Sequence, residues 1–430
     1  MKKMKANKRI RLFHSMILLV ALLTLTGCWS SDEINNLSTI TLIGIDENDT
    51  GEVEVTAVIV KPHTLFAETA VDGSEQSKFL IETTTGESIF DAVSDLSSTT
   101  SERIYFGHVN AIVFGERAAR KRMVSSLDFF KRETDFRPNT NVLVARGKAS
   151  QLVQATPHLN VTLGMELEDL VLSNKYSETD MVEDVTQFMK DLSSDTKDPT
   201  TGIISSAKRQ GVDIHLTGAN NQSDTKKKEE EPSTNTQENS QLQIPEAISL
   251  KETAVFKDGK LKGILDERET RGALLVKGKL KNEVVVLSCG SSPEETISLN
   301  ITNSASKLTP QFSAGAPHMA IVIQVEAEIG QLACPDFNVD PGQIDRLNQQ
   351  LESLVKQEVT RVLNKAKNQM QTDIFGFGQE FYRKYPKEWK QMAPVWRNGM
   401  LKNMKVDLSV SANISRHGLL KDPIKDKEGK

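Results

Sequence analysis

The chain has 430 residues, 38% hydrophobic and 26% charged, enough for two or three globular domains with a polar excess. Its 53 basic and 58 acidic residues give a formal charge of −5, and removing the six basic residues that precede Gly27 takes it to −11. An acidic body of this kind is not drawn to nucleic acid or anionic lipid by charge, and no second apolar run approaches the ~18 residues of a spanning helix.

Lys2, Lys3, Lys5, Lys8, Arg9 and Arg11 lead into the apolar run 16–26 without an accompanying acid. At ~1.5 Å per residue that run covers roughly half of a ~30 Å bilayer core, which fits a cleavable signal better than an anchor. It ends on Leu25-Thr26-Gly27-Cys28, a small residue and then a cysteine. This is the layout of a bacterial lipoprotein signal. Cleavage after Gly27 would leave Cys28 as an N-terminal residue carrying S-diacylglycerol and N-palmitoyl chains. At ~0.8 kcal/mol per buried CH₂, several chains on one cysteine hold a protein stably at a membrane. The alternative is an ordinary signal with an incidental cysteine, or an uncleaved anchor.

Residues 40–45 and 53–59, joined by Asn48-Asp49-Thr50-Gly51, predict a β-hairpin with one buried face. Ile89, Val93 and Leu96 mark a helix over 87–96. Residues 104–114 read as one strand, broken or bulged at Gly107. Ala119, Met123, Leu127 and Phe130 stripe a following helix, a strand is expected at 142–145, and one or two helices over 161–192. Another strand is expected around 212–216. From 219 to 245 large apolar residues all but vanish, and this stretch cannot bury enough surface to offset its ordering entropy. It reads as a disordered linker or insertion.

The second half opens on a hairpin around Asp258-Gly259. Strands are then expected at 273–276, 284–287, 297–301 and 319–325. A long helix follows over 341–371, with Asp340 as N-cap, Pro341 at its first position and an apolar stripe at three- and four-residue spacing. Such a stripe lies on a sheet of its own domain or, as the other reading, in a coiled coil. The alternation of Val406, Leu408, Val410, Ala412 and Ile414 with polar residues predicts a terminal strand with one wet face. The fold class expected is therefore α+β, with mixed and antiparallel sheets, packed helices, and a long C-terminal helix followed by a strand. The segments are 1–27 (signal), 28–218 (one or two subdomains), 219–245 (polar segment), 246–420 (second α+β domain) and 421–430 (charged tail). Cys289 and Cys334 could pair in an oxidising compartment, but two cysteines make no framework, and Cys289 after an apolar run reads as a buried thiol.

The histidines form no H-E-x-x-H, no cysteines have zinc spacing, and phosphate-loop and nucleophile-elbow motifs are missing. Ser304-Ala305-Ser306-Lys307 fits S-x-x-K without its companion motifs. His108, beside Gly107, is the best lone reactive candidate, and such a histidine is more often structural. No catalytic residue, metal or cofactor is expected beyond the lipid on Cys28, and the chain reads as a binding or assembly protein.

Four blocks in order resemble the Ger(x)C family, the lipoprotein subunits of spore germinant receptors. They are Cys28-Trp29 with Asp32-Glu33-Ile34 and Ile43-Gly44-Ile45-Asp46; Arg103-Ile104-Tyr105-Phe106-Gly107-His108 with residues 127–132 and Phe136-Arg137-Pro138-Asn139; Ala254-Val255-Phe256-Lys257 through Leu261-Lys262-Gly263 to Arg271-Gly272; and Asp373-Ile374-Phe375-Gly376-Phe377-Gly378 with Tyr385-Pro386, Trp389 and Trp396. The resemblance implies a non-enzymatic subunit on the outer surface of the inner membrane of the dormant spore. Its partners would be two integral-membrane subunits that sense small nutrients with it. Direct contact with the nutrient is left open. A substrate-binding lipoprotein of a transporter, or a surface cell-wall enzyme, are the rival readings.

Gly107, His108, Arg137, Arg271, Gly376, Phe377, Gly378, Trp389 and Trp396 stand out as structural or partner-facing positions. The aromatics after 375 either form a compact core or face a partner. The arginines either pair internally and with solvent or bind a partner's acid.

Overall fold

A ten-stranded sheet and a four-stranded sheet organise the chain. The computed structural model describes residues 13–17, 37–60, 79–100, 103–155, 162–177, 179–207, 247–289, 295–313, 315–334, 337 and 340–415. The expected strand at 212–216, the polar segment 219–245, the tail 421–430 and Cys28 lie outside the described residues.

β1 (Leu37–Glu47) and β2 (Val53–Val60) form the expected antiparallel hairpin, and β3 (Phe79–Gly86) pairs with the far side of β2. α1 (Ile89–Thr99) begins at Ser88, whose side chain accepts from the Asp91 N–H. The single strand expected over 104–114 is two strands, β4 (Arg103–Tyr105) and β5 (Ala111–Gly115), both parallel to β1. Tyr105 is level with Thr39 and Ala111 with Leu42, so the intervening chain is too long for the register and turns out at Gly107 and His108.

α2 (Glu116–Lys121), α3 (Met123–Arg132), β6 (Asn141–Ala145), α4 (Ala149–Val153), α5 (Leu163–Ser177), β7 (Glu183–Asp184), α6 (Val185–Leu192) and β8 (Thr200–Ala207) complete the first stretch. β1, β5, β6 and β8 run parallel side by side. Both faces of these strands are buried, which explains their near-continuous apolar sequence. α1, α2, α3 and α6 cover one face, and α4 and α5 the other. β9 (Ala247–Lys257) and β10 (Lys260–Leu265) turn through Asp258 and Gly259, both at positive φ. β9 pairs antiparallel with β8, giving the order β10-β9-β8-β6-β5-β1-β2-β3.

Residues 273–276, expected as a strand, belong instead to a helix, α7 (Glu267–Lys277). Asp266 and Glu269 form a reciprocal capping box at its start, and Gly278 closes it in the left-handed conformation. β11 (Glu283–Ser288), β12 (Thr296–Ser313) and β13 (Ala316–Ala333) form an antiparallel sheet, and β14 (Lys405–Ser415) adds parallel to β13. α8 (Pro341–Asn364) starts at Asp340, which accepts from the Gln343 N–H, and runs into a wide turn over Lys365–Met370. Its Leu347, Leu351, Val355, Val359 and Val362 bury against Ile297, Leu299, Ile321 and Ile323, so the stripe lies on the sheet of its own half. α9 (Phe377–Lys384), α10 (Pro386–Val395) and α11 (Leu401–Asn403) pack the end of the chain before β14. The molecule is α+β, with a mixed and a largely antiparallel sheet, as the sequence implies.

The buried-thiol reading of Cys289 is corrected. Cys289 and Cys334 are disulfide-bonded, with Cα atoms 6.4 Å apart. They follow β11 and β13, whose ends are brought level by the shared neighbour β12.

Candidate functional site

The singled-out residues fall into three groups. Gly107 and His108 occupy the turn between β4 and β5. A Cβ on Gly107 would lie 2.3 Å from the Tyr105 hydroxyl, so only glycine lets that ring fold over the turn. The His108 ring meets Tyr105 edge-on at 5.7 Å, and burial followed by the Arg137 charge holds its pKa below the ordinary imidazole value. His108 is thus a surface ring biased toward its neutral form, with an exposed Arg137 close by.

Arg271 lies on α7 with its side chain only 12% exposed. Its Nε donates to Glu358 Oε2 at 2.8 Å, Nη2 donates to Glu358 Oε1, and Nη1 donates to Glu283 Oε1 at 3.0 Å. The fork ties α7 to α8 and β11 through two internal carboxylates. Arg103 pairs with Asp135 and Arg132 with Asp128. Arg103 and Arg132 make these pairs at the surface, whereas those of Arg271 are buried.

The third group converges. Gly376, Phe377, Gly378 and Trp396 all donate to one carboxylate, Asp373, which is fully buried. Oδ1 accepts the Gly376 and Phe377 N–H groups at 2.9 and 3.0 Å. Oδ2 accepts Gly378 N–H at 2.7 Å and the Trp396 indole at 3.0 Å. Gly376 sits at φ 78°, the left-handed turn that aims these amides inward. A Cβ on Gly378 would lie 2.8 Å from the Thr196 carbonyl and 2.7 Å from the Trp389 ring. Trp389 meets Trp396 at 5.4 Å, Phe381 meets Trp396 at 5.5 Å, and Phe375 stacks on Phe377 at 5.0 Å. These rings are buried within the chain, and Tyr382, at 55% exposure, faces out.

Sequence reasoning quoted Asp373 within its block but passed over its role, which depends on Trp396, 23 residues later. It also missed Asp198. The Asp373 N–H donates to Asp198 Oδ2 at 2.7 Å, and the Asp198 N–H donates to the Asp373 carbonyl at 2.9 Å. Arg397 lies 3.4 Å from Asp198 Oδ1 and donates to the carbonyls of Ser194 and Lys197. Lys257 donates to the carbonyls of Gln371 and Arg397. The Asp373 turn thus locks the second half onto the segment before β8. Burial pushes Asp198 up to about 6 against the pull of Arg397, and Glu183 nearby up to about 7 against Lys197 and Lys277.

The first block is architectural too. Asp46 accepts the Ala149 and Ser150 N–H groups at the start of α4, and Glu47 accepts from Lys121, Arg117 and Arg122. Among the described residues no group of three or more His, Cys, Asp or Glu is placed to hold a metal ion, and no helix is long and apolar enough to cross a membrane.

Comparison with known proteins follows the same division. Residues 30–206 match the family described as spore germination protein N-terminal domain, and residues 251–418 match spore germination B3/GerAC like, C-terminal. Spore germination protein KC of Bacillus subtilis (strain 168) is 27% identical over 431 residues, covering 96% of this chain and 97% of the relative. Spore germination protein B3 of the same organism is 22% identical over 386 residues, covering 88% and 91%. The crystal structure of the GerBC protein superposes with a TM-score of 0.50 over 86% of this chain and 96% of that one, at 17% identity, a likeness of fold. With both halves matched in order across most of its length, the chain belongs to the Ger(x)C family of spore germination proteins.

Proposed function

We propose that this chain is the lipid-anchored, non-enzymatic subunit of a spore germinant receptor. Cys28 holds it at the outer surface of the inner spore membrane, and it assembles there with two integral-membrane subunits that respond to nutrient. It carries no cofactor other than its lipid. The match of both halves to spore germination proteins, along most of the length of proteins KC and B3, carries this reading. The Cys289–Cys334 bond supports the extracytoplasmic side, because disulfides persist in oxidising compartments and are rare in the cytosol. A scaffolding role fits a chain whose singled-out glycines, aromatics and Arg271 serve packing and internal pairing.

Tagged protein gently solubilised from dormant-spore inner membranes is expected to bring down two integral-membrane subunits. Cys28→Ala should release the protein from the membrane fraction, lose both partners and blunt the nutrient response. A Cys28→Ala strain that keeps membrane retention and a normal response would overturn the anchoring claim. Recovery of transporter or cell-wall components in place of the two subunits would overturn the receptor claim.

A further inference from the structure

One cavity of about 500 Å³ opens where the two halves meet, within the size range of small-ligand sites. Lys197 reaches it from the segment before β8, Lys277 and Lys279 from the end of α7, Ser306 and Lys307 from β12, and Arg383 from α9. Five cationic residues line the space, against one acidic residue, Glu380.

Two of the five are balanced. Lys197 pairs with Glu183 and Asp191 behind it, and Arg383 with Glu380. Lys277, Lys279 and Lys307 make no ion pair within 4 Å among the described residues; Lys277 feels Glu183 and Asp191 only at longer range, and Lys279 and Lys307 are exposed. The Ser306 hydroxyl, buried at the wall, has no hydrogen-bond partner among the described residues either. A solvated lysine face would put its charges outward and apart. Here Gly278 packs α7 directly onto β12, its Cβ position 2.6 Å from the Ser306 nitrogen, and that close approach brings residues of both elements to the lining of one space. Burial, and then the Lys197 charge, pull the Lys277 ammonium down to about 8, a cost that a neighbouring anion would relieve.

We propose that this cavity binds a small multivalent oxyanion, a phosphate ester or a polycarboxylate, between Lys277, Lys279 and Lys307, with Ser306 donating to it. Because Lys197 comes from the first half and the other groups from the second, the bound anion would bridge the halves. This site stands apart from the receptor reading and is tested on the isolated protein.

The test is thermal unfolding of the full chain in detergent micelles, followed by tryptophan fluorescence. Inorganic pyrophosphate and citrate would each be compared with sodium chloride at matched ionic strength. At millimolar pyrophosphate or citrate the Tm should rise by about 3 °C beyond the chloride control. The exposed double variant K279Q/K307Q should keep the native Tm without anion and lose at least half of that rise, and Lys277→Met should remove it. A larger response to pyrophosphate would assign a phosphate ester, and a larger response to citrate a polycarboxylate. Equal shifts in chloride, or a full shift retained in K279Q/K307Q, would overturn the proposal, whether or not Lys277→Met folds.

Discussion

At the scale of single residues, Asp373 carries more structure than any other acid in the described chain. It satisfies three backbone amides at the start of α9 and the Trp396 indole. Hydrogen bonds to a charged group contribute about 1.5–3 kcal/mol each, but they act here as one unit and do not add. Asp373→Ala should therefore cost about 3–5 kcal/mol and Asp373→Asn somewhat less, read as a lowered Tm with tryptophan emission shifted to the red. A native Tm in Asp373→Ala would refute the hub. Its neighbour Asp198 sets a pH dependence. Its folded pKa of about 6 lies above the ~3.9 of an unfolded aspartate, so the native state binds the extra proton. The associated stability is fully present below about pH 4 and is lost as pH rises through about 6. Asp198→Asn should flatten the fall in Tm between pH 4 and 7 relative to the native chain, while its amide oxygen still accepts the Asp373 N–H. An unchanged slope would show that Asp198 titrates normally.

At the scale of elements, α7 illustrates how much was legible. Residues 273–276 are apolar and short, a pattern that helix and buried strand share. The deciding signals lay outside the run: Asp266 three residues before Glu269, and Gly278 after Lys277. α7 then meets α8 so closely that a Cβ on Gly272 would lie 2.7 Å from the Glu358 carbonyl oxygen. Alanine improves helix propensity by ~1 kcal/mol, but a backbone carbonyl yields less readily than a side chain, and overpacking costs about 1–3 kcal/mol. Gly272→Ala should thus lower stability by up to about 2 kcal/mol in denaturant unfolding, and a gain would show that the helices can part freely. The hairpins and the long helix α8 were plain from turn residues and periodicity. The full lengths of β12 and β13 were not, because their outer stretches alternate Ser, Thr, Asn, Gln and Glu on a wet face and look like loop. The Asp373 turn was visible as glycines and aromatics, while its purpose depended on Asp198, Arg397 and Trp396 meeting only in the fold.

At the scale of the whole molecule, the sequence break near residue 219 is not where one sheet ends and the next begins. β8 and β9 are neighbours, Ala207 stands opposite Ala247, and β10 follows in the same sheet. The chain therefore leaves the larger sheet and returns to it at one place, and the crossing to the second sheet comes only with α7. Closing a loop costs about 0.6 kcal/mol for each doubling of its length. Replacing residues 210–244 by an Asn-Gly turn shortens the connection between Ala207 and Ala247 about sixfold and should return about 1.6 kcal/mol of closure entropy, provided those residues add no packing of their own. The shortened protein is expected to unfold at the native Tm or slightly above it. In spores it should still recover the membrane partners proposed above, because contacts between the halves such as those of Arg397 with Ser194, Lys197 and Asp198 do not involve the replaced residues. A large fall in Tm would mean that the polar segment belongs to the folded body. Native stability with lost partners would assign the segment to the receptor interface instead.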